Sequence, residues 1–348
     1  MKIILAIGIL AALFAVSFYL LFDTPRYERW AVTHYNISYF VTVENIGISP
    51  ATHIPLTVAL LDTQEPYQTL ISRDVYPAPQ KTYTDAAGNK FAYYEIDTLG
   101  PGGNFTVRVD AVFDSENADY NILKESVRTD ELERKYTLPS KFVESNNPLI
   151  KARAQELANG SYVIDTLWNT YSFIVDEIEY EQQPGEFGAV WVLENREGGS
   201  AELANLFVAL SRANDIPARR VSGWGAHLST NETLKSVQFA HGWAEIYLPD
   251  YGWIPVDPTF GKTHKFDNFA KSDDDHIVLT RGEGIHFFTR GAYTDPLGEA
   301  NLETDYTIHV NSKELENTSN KRSLLSMLVF AVPAMFLLLL AWKWRSDS

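Results

Sequence analysis

Cysteine is absent from all 348 residues. That excludes disulfides, thiolate metal sites and a thiol nucleophile, and leaves the redox character of the compartment unread. Basic residues are scarce: 29 Lys plus Arg stand against 45 Asp plus Glu, a net charge of −16. Such a chain offers no electrostatic footprint for a phosphate backbone, so nucleic acid is not an expected partner. There is no internal repeat and no cluster with metal-ligand spacing, so no metal and no cofactor are expected. The one acidic run, "SDDDH" at Ser272 to His276, reads as a solvated loop.

What the chain does have begins at its two ends. Ile3 to Phe22 is a run of uncharged, almost wholly apolar residues, about 30 Å long as a helix and so long enough to cross a bilayer. Residues 1–24 therefore read as a transmembrane anchor, or else as a signal peptide with "AVS" at Ala15 to Ser17 as a poor cleavage site. Ser323 to Trp342 repeats the pattern between Lys321–Arg322 and Lys343–Arg345. Pro333 is tolerable in a spanning helix because neighbouring groups satisfy the freed carbonyl. Sequons at Asn36, Asn104, Asn159, Asn231 and Asn317 all lie between the two runs and favour an exterior middle segment. The expected topology has short tails inside and about 300 residues outside the cytoplasm, at a cell membrane.

Between the ends the texture changes once. Over 30–120, Tyr35, Ile37, Tyr39, Val41 and Val43 alternate with polar residues, and so do Ile54 to Leu60 and Phe105 to Phe113. Turn clusters "DAAGN" and "GPGGN" separate these stretches. The pattern predicts a β-sandwich of immunoglobulin-like type. Over 140–290 helices come first: Ile164, Leu167, Trp168, Tyr171, Ile174, Val175 and Ile178 recur at helical spacing, as do Leu203, Leu206, Phe207 and Leu210. Strands "ARRVSGW", "FAHGWAEIYL" and "GWIPVDPT" follow, which argues for an α+β domain. Residues 291–322 read as a polar stalk into the span at 323–342.

Three residues could carry chemistry. "AHGWAEIYLPDYGWIPVDPT" reads as a hairpin turning at Pro249 to Tyr251, with His241 and Asp257 equally distant from the turn. They should be direct or diagonal neighbours, the carboxylate orienting one imidazole nitrogen and leaving the other as base. Ser200 follows Gly198–Gly199 at the start of a helix, where free N–H groups would stabilise an oxyanion. Asn195 is a further candidate donor. Each residue also has an ordinary reading: helix cap, structural histidine, turn former. Trp224, Trp243 and Trp253 are candidates for lining a peptide groove, or for the core.

The run "REGGSAELANLFVALSRANDIPARRVSGW", then "HGWAEIYL", then "GWIPVDPTFG" closely resembles the transglutaminase-like superfamily of papain-like fold, over about residues 145–285. The sandwich ahead of it looks like modules found in membrane-anchored microbial members. The resemblance implies a Cys-His-Asp triad mapping onto Ser200, His241 and Asp257, with serine where the family has cysteine. Asp215 replaces the glycine before Ile-Pro and can still take the left-handed conformation needed there. A hydroxyl cannot pre-ionise as a thiol does and needs general-base removal of its proton during attack. Two functions follow as expectations. One is a membrane-anchored peptidase, amidase or acyl transferase acting on polypeptide. The other is a catalytically inactive module that binds protein or peptide at the cell surface.

Overall fold

The computed structural model describes residues 27–28, 31–120, 122, 131–225, 240–249, 251–282 and 287–317. The apolar runs at 3–22 and 323–342, and the sequon at Asn231, lie outside the described residues. Among the described residues no helix is long and apolar enough to cross a membrane.

Alternation in the first part produces strands: β1 Ala31–Asn45, β2 Ala51–Leu60, β3 Gln68–Tyr76, β4 Lys81–Thr84, β5 Lys90–Leu99 and β6 Asn104–Glu116. In β1, Tyr35, Ile37, Tyr39, Val41 and Val43 are all buried while Asn36 is exposed, the period-two signature of a strand with one face on a core. The second part carries α1 Pro148–Leu157, α2 Val163–Glu177, α3 Ala189–Asn195 and α4 Ser200–Ala213. Four strands accompany them: β7 Ala218–Gly225, β8 Ala240–Leu248, β9 Gly252–Val256 and β10 His276–Arg281. The fold is thus a mixed α and β one, with a strand-rich N-terminal region.

Two further strands, β11 Phe288–Arg290 and β12 Leu302–Asn317, correct the expected stalk. β12 pairs antiparallel with β1 along its length, from Leu302 opposite Asn45 to Asn317 opposite Ala31. Its buried positions, Leu302, Ile308 and Val310, complete the same apolar core. The polar residues between them face outward, which is why the segment reads as a hydrophilic tether in sequence. The two sheets have the orders β12-β1-β6-β3 and β11-β2-β5-β4, and they share one core. The α+β part is therefore inserted between strands of the sandwich.

The inserted part is built on a third antiparallel sheet, β9-β8-β7-β10. One face meets α4, whose Leu203, Leu206, Phe207 and Leu210 are fully buried. The other face meets the sandwich: Trp224, Ile277 and Leu279 belong to the sandwich core. β10 is an edge strand, and an edge leaves backbone groups unpaired. Side-chain amides from the sandwich take them up. Gln68 accepts from the Val278 N–H (2.9 Å) and donates to its carbonyl (3.0 Å), and Asn89 does the same for Arg281 (2.7 and 2.8 Å). Between the layers Glu245 is fully buried and bonded to Arg219 (2.7 Å), Arg281 (3.0 Å) and the Tyr67 hydroxyl. Sandwich and inserted domain are joined by satisfied polar groups as well as by shared apolar core.

Candidate active site

The helix α4 begins with Gly199 as its capping residue, and Glu202 Oε2 accepts the Gly199 N–H at 3.1 Å. Glu202 Oε1 accepts the Phe187 N–H at 3.1 Å. Burial raises the Glu202 pKa, against these N–H bonds. Ser200 is thus the first residue of the helix and not its cap. Its hydroxyl oxygen accepts the Gly242 N–H from β8 at 3.2 Å. Glycine at 242 suits that approach, because a Cβ there would lie 3.0 Å from the Ala201 Cα, tighter than ordinary contact.

The hairpin geometry read from sequence is present. Ala244 faces Val256, Ile246 faces Ile254 and Leu248 faces Gly252. Continuing that register places Asp257 diagonally from His241. His241 Nε2 lies 2.6 Å from Asp257 Oδ2, both side chains buried. The imidazole stacks on Phe260 with ring centres 4.3 Å apart. Gly225 leaves room for this stack: a Cβ there would sit 2.7 Å from the Phe260 ring. Asp257 Oδ1 accepts the N–H groups of Thr259 (2.7 Å) and Phe260 (3.1 Å). Burial opposes the Asp257 charge, but the charges and hydrogen bonds of His241 and His276 outweigh it, and its pKa falls well below the carboxylate range.

His276, at the start of β10, is the residue that sequence reasoning missed. Its Nε2 lies 2.9 Å from Asp257 Oδ2 and its Nδ1 lies 2.6 Å from Asp273 Oδ1. The "SDDDH" run is therefore not a solvated loop. Asp274 accepts from Thr33 and Asp275 accepts from Tyr35 at 3.1 Å, both on β1. The available signal was a histidine leading directly into the apolar run Ile277 to Leu279. His241, Asp257 and His276 bring ligand-type atoms within 4.8 Å of one another. Both imidazoles are committed to one carboxylate oxygen, so the trio reads as a proton network.

Ser200 and His241 open on one cavity of about 620 Å³. Its walls come from both parts of the chain: Tyr180, Gln182 and Arg220 on one side, Phe287, Phe288 and Tyr306 on the other. Arg220 is ion-paired with Glu186 at its floor. Among the described residues, no hydrogen bond joins Ser200 to His241; the serine oxygen is held by Gly242.

Two expectations are corrected here. Asn195 ends α3, and its amide donates to the Trp191 carbonyl at 2.8 Å, so it is satisfied within its own helix and does not line the cavity. None of the three tryptophans lines it either. Trp224 is 1% exposed against Tyr39 and Phe287, and Trp243 is 0% exposed against the His276 ring. Trp253 lies under the Arg219 guanidinium, 3.7 Å from its centre. A sheet covered on both faces leaves Trp224 and Trp243 in the core, while Trp253 stays partly exposed. Of the aromatic groups that do line the cleft, Phe287, Phe288 and Tyr306 come from the sandwich side and Tyr180 from the inserted part.

With this geometry in view, likeness to known proteins can be placed on it. Residues 151–258 match the model of the Transglutaminase-like superfamily. The chain contains a transglutaminase-like domain. The matched segment takes in Ser200, His241 and Asp257 and ends before Asp273 and His276. Over 125 residues the chain is 33% identical to a protein-glutamine gamma-glutamyltransferase of Pseudomonas aeruginosa, covering 33% of this chain and 18% of that protein. An uncharacterized Bacillus subtilis protein, YebA, is 26% identical over 149 residues, 40% of this chain and 19% of that one. The chain thus spans under a fifth of the length of these two relatives. An uncharacterized Mycobacterium tuberculosis protein is 25% identical over 232 residues, 60% of this chain and 70% of that protein. In fold, a Cytophaga hutchinsonii chain provisionally described as a cysteine protease superposes with a TM-score of 0.59 at 18% identity. That match covers 83% of this chain and 93% of that one, so the likeness of fold extends beyond the transglutaminase-like domain into the sandwich.

Proposed function

We propose that this chain is a membrane-anchored, extracytoplasmic acyl-transfer protein acting on polypeptide, with Ser200 in the position where the family carries its cysteine. The His241–Asp257 bond of 2.6 Å beside Ser200 carries the reading. It engages Nε2 and leaves Nδ1 as the base. In the reaction Ser200 Oγ attacks an amide carbonyl while Nδ1 takes the hydroxyl proton. The oxyanion forms over the first turn of α4, where backbone N–H groups have no intrahelical partner. The imidazolium then protonates the departing amine, and water or a second amine releases the acyl group. Water gives a peptidase or amidase; an amine gives a cross-link.

Polypeptide as substrate is supported by the edge of β11. The Phe287 carbonyl accepts from Ala59, and the Gly291 N–H donates to Pro55. By antiparallel alternation, Phe288 and Arg290 turn their own N–H and C=O away from β2. β11 is the last strand of its sheet, and Phe288 and Arg290 line the cleft. An extended segment can add to that edge with its side chains on the aromatic wall. The sandwich, read as an immunoglobulin-like module, then supplies half of the binding site.

Membrane anchoring by the runs at 3–22 and 323–342 is supported by the sandwich. Ala31 and Asn317 are register partners, so both runs attach at the same end of one strand pair. Asn36, Asn104 and Asn159 are exposed, as an exterior location with glycan attachment requires.

One observation favours a second reading, a binding module without chemistry: Ser200 Oγ is bonded to Gly242 and not to the imidazole. A fluorophosphonate probe on the full chain separates the two. Labelling at Ser200 that disappears in His241→Ala is expected of the enzyme; an unlabelled Ser200 leaves the binding module.

A further inference from the structure

His276 stands between two carboxylates, 2.9 Å from Asp257 Oδ2 through Nε2 and 2.6 Å from Asp273 Oδ1 through Nδ1. A neutral imidazole carries one N–H. It would set a bare lone pair against one of those carboxylates, and at 3% exposure the ring has little access to water as a substitute. Only the doubly protonated ring donates to both. Burial disfavours that cation, but Asp273 and Asp257 outweigh burial and push its pKa up to about 10.

Asp257 Oδ2 therefore accepts from two imidazoles at once, His241 at 2.6 Å and His276 at 2.9 Å. The other titratable groups around the pair are Asp273, Asp274 and Asp275 in the turn before β10, Tyr171 on α2 and Ser200 on α4. Trp243 and Phe260 supply apolar ring faces.

We propose that His276 is a positioning residue, a fixed cation on Asp257 that offsets the carboxylate's charge where Asp257 meets His241 and so tunes that pair for taking the Ser200 proton. An unshared aspartate would favour the imidazolium, which suits a thiolate–imidazolium pair. A serine hydroxyl needs the opposite, a neutral ring that accepts the proton only during attack. The last step rests on the acyl-transfer reading above; the charge on His276 does not.

The test uses the full chain in detergent micelles, labelled with ¹³C-histidine. The His276 ring should stay doubly protonated from pH 5 to 8.5. In His276→Gln the acid limb of the Ser200 fluorophosphonate rate should move up by about one pH unit. Asp273→Asn should move it the same way with the ring still in place, and His276→Lys, which keeps the cation, should sit near wild type. The same variants in a Ser200→Cys background are read by the pH dependence of iodoacetamide alkylation, whose midpoint should also rise. A His276 ring that titrates between pH 5 and 8 overturns the proposal. So do limbs that coincide in wild type, His276→Gln and Asp273→Asn. A serine silent to the phosphonate defeats only the enzyme reading, because the alkylation profile still decides the role of His276.

Discussion

Gly242 donates its N–H to Ser200 Oγ over 3.2 Å, from the residue directly after His241. The hydroxyl is tethered to the backbone beside His241 without bonding the ring. Sulfur is larger and more acidic than a hydroxyl and can lose its proton to the imidazole before attack. Ser200→Cys should therefore raise amidase activity on peptide amides by roughly a hundredfold or more, on the scale of acid–base contributions. The gain should vanish on adding His241→Ala. A cysteine variant as inactive as the parent against a peptide amide library would remove position 200 from the chemistry.

The same contact predicts a substitution that harms the site more than the fold. A Cβ at position 242 would lie 3.0 Å from the Ala201 Cα and 3.2 Å from the Ala201 N. Gly242→Ala should push the start of α4 away from β8 by a few tenths of an ångström. Overpacking of this kind costs about 1–3 kcal/mol. A misplaced nucleophile loses about a hundredfold in rate per ångström. Phosphonate labelling should fall more than tenfold while the thermal midpoint drops only a few degrees. Equal labelling in wild type and variant would mean that this backbone bond does not set the serine position.

Much of this site was legible in the sequence. Equal spacing around a turn located His241 and Asp257, and two glycines before an apolar periodic run located Ser200. Asp215 has φ +57°, the left-handed conformation expected of a residue in place of glycine. What period and spacing do not encode is which elements meet. His276 joins Asp257 across a sheet order, β9-β8-β7-β10, in which β10 reaches the centre only by pairing with β7. Residues 302–317 alternate weakly because their outward face is solvated, so the strand passed for a tether. The tryptophans mislead for a related reason. Trp224 and Trp243 are sealed in the cores on either side of the β9-β8-β7-β10 sheet, and the cleft is lined by Arg220, Ser222 and His241 together with Phe287, Phe288 and Tyr306, more than 60 positions later than Trp224.

Charge in the layer between the two parts makes stability depend on pH in both directions. Glu245 is held down from 4.5 to about 2: burial opposes this, but Arg219 and Arg281 outweigh it. At about 1.4 kcal/mol for each tenfold, that is on the order of 3 kcal/mol. It is fully present above pH 4.5 and lost as the pH falls through 2. Asp275 has the opposite sign. Burial, Asp273 and Asp274 push it up to about 7, so it subtracts stability as the pH rises from 3.8 through 7. Asp275→Asn keeps an acceptor for Tyr35 and removes the charge. It should raise the thermal midpoint at pH 7.5 by several degrees and leave it unchanged near pH 4. A variant whose advantage is equal at both values would show that Asp275 is not protonated in the fold.

The β11 edge makes a prediction about substrate and not about chemistry. Arg290 directs its N–H away from β2, and proline is tolerated on an edge strand when the missing N–H faces outward. Arg290→Pro should leave the fold stable and remove one backbone donor from an added peptide strand. A lost neutral hydrogen bond of about 1–1.5 kcal/mol corresponds to about a tenfold rise in peptide KM. An unchanged KM for extended peptides would move substrate binding elsewhere in the cleft.

Both apolar runs attach where Asn317 faces Ala31, and neighbouring strands in a sheet lie only about 5 Å apart. If the two runs anchor the chain as proposed, segments that leave one strand pair this close together would insert from the same side of the bilayer. Residues 343–348 would then lie on the side opposite the sandwich. A chain without cysteine is well suited to the test, since each introduced thiol is the only one present. Asn159→Cys should react with a membrane-impermeant maleimide on intact cells. Asp347→Cys should react only after permeabilisation. Labelling of position 347 from outside would mean that the run at 323–342 does not cross, and that the sandwich presents its paired ends to something other than a membrane.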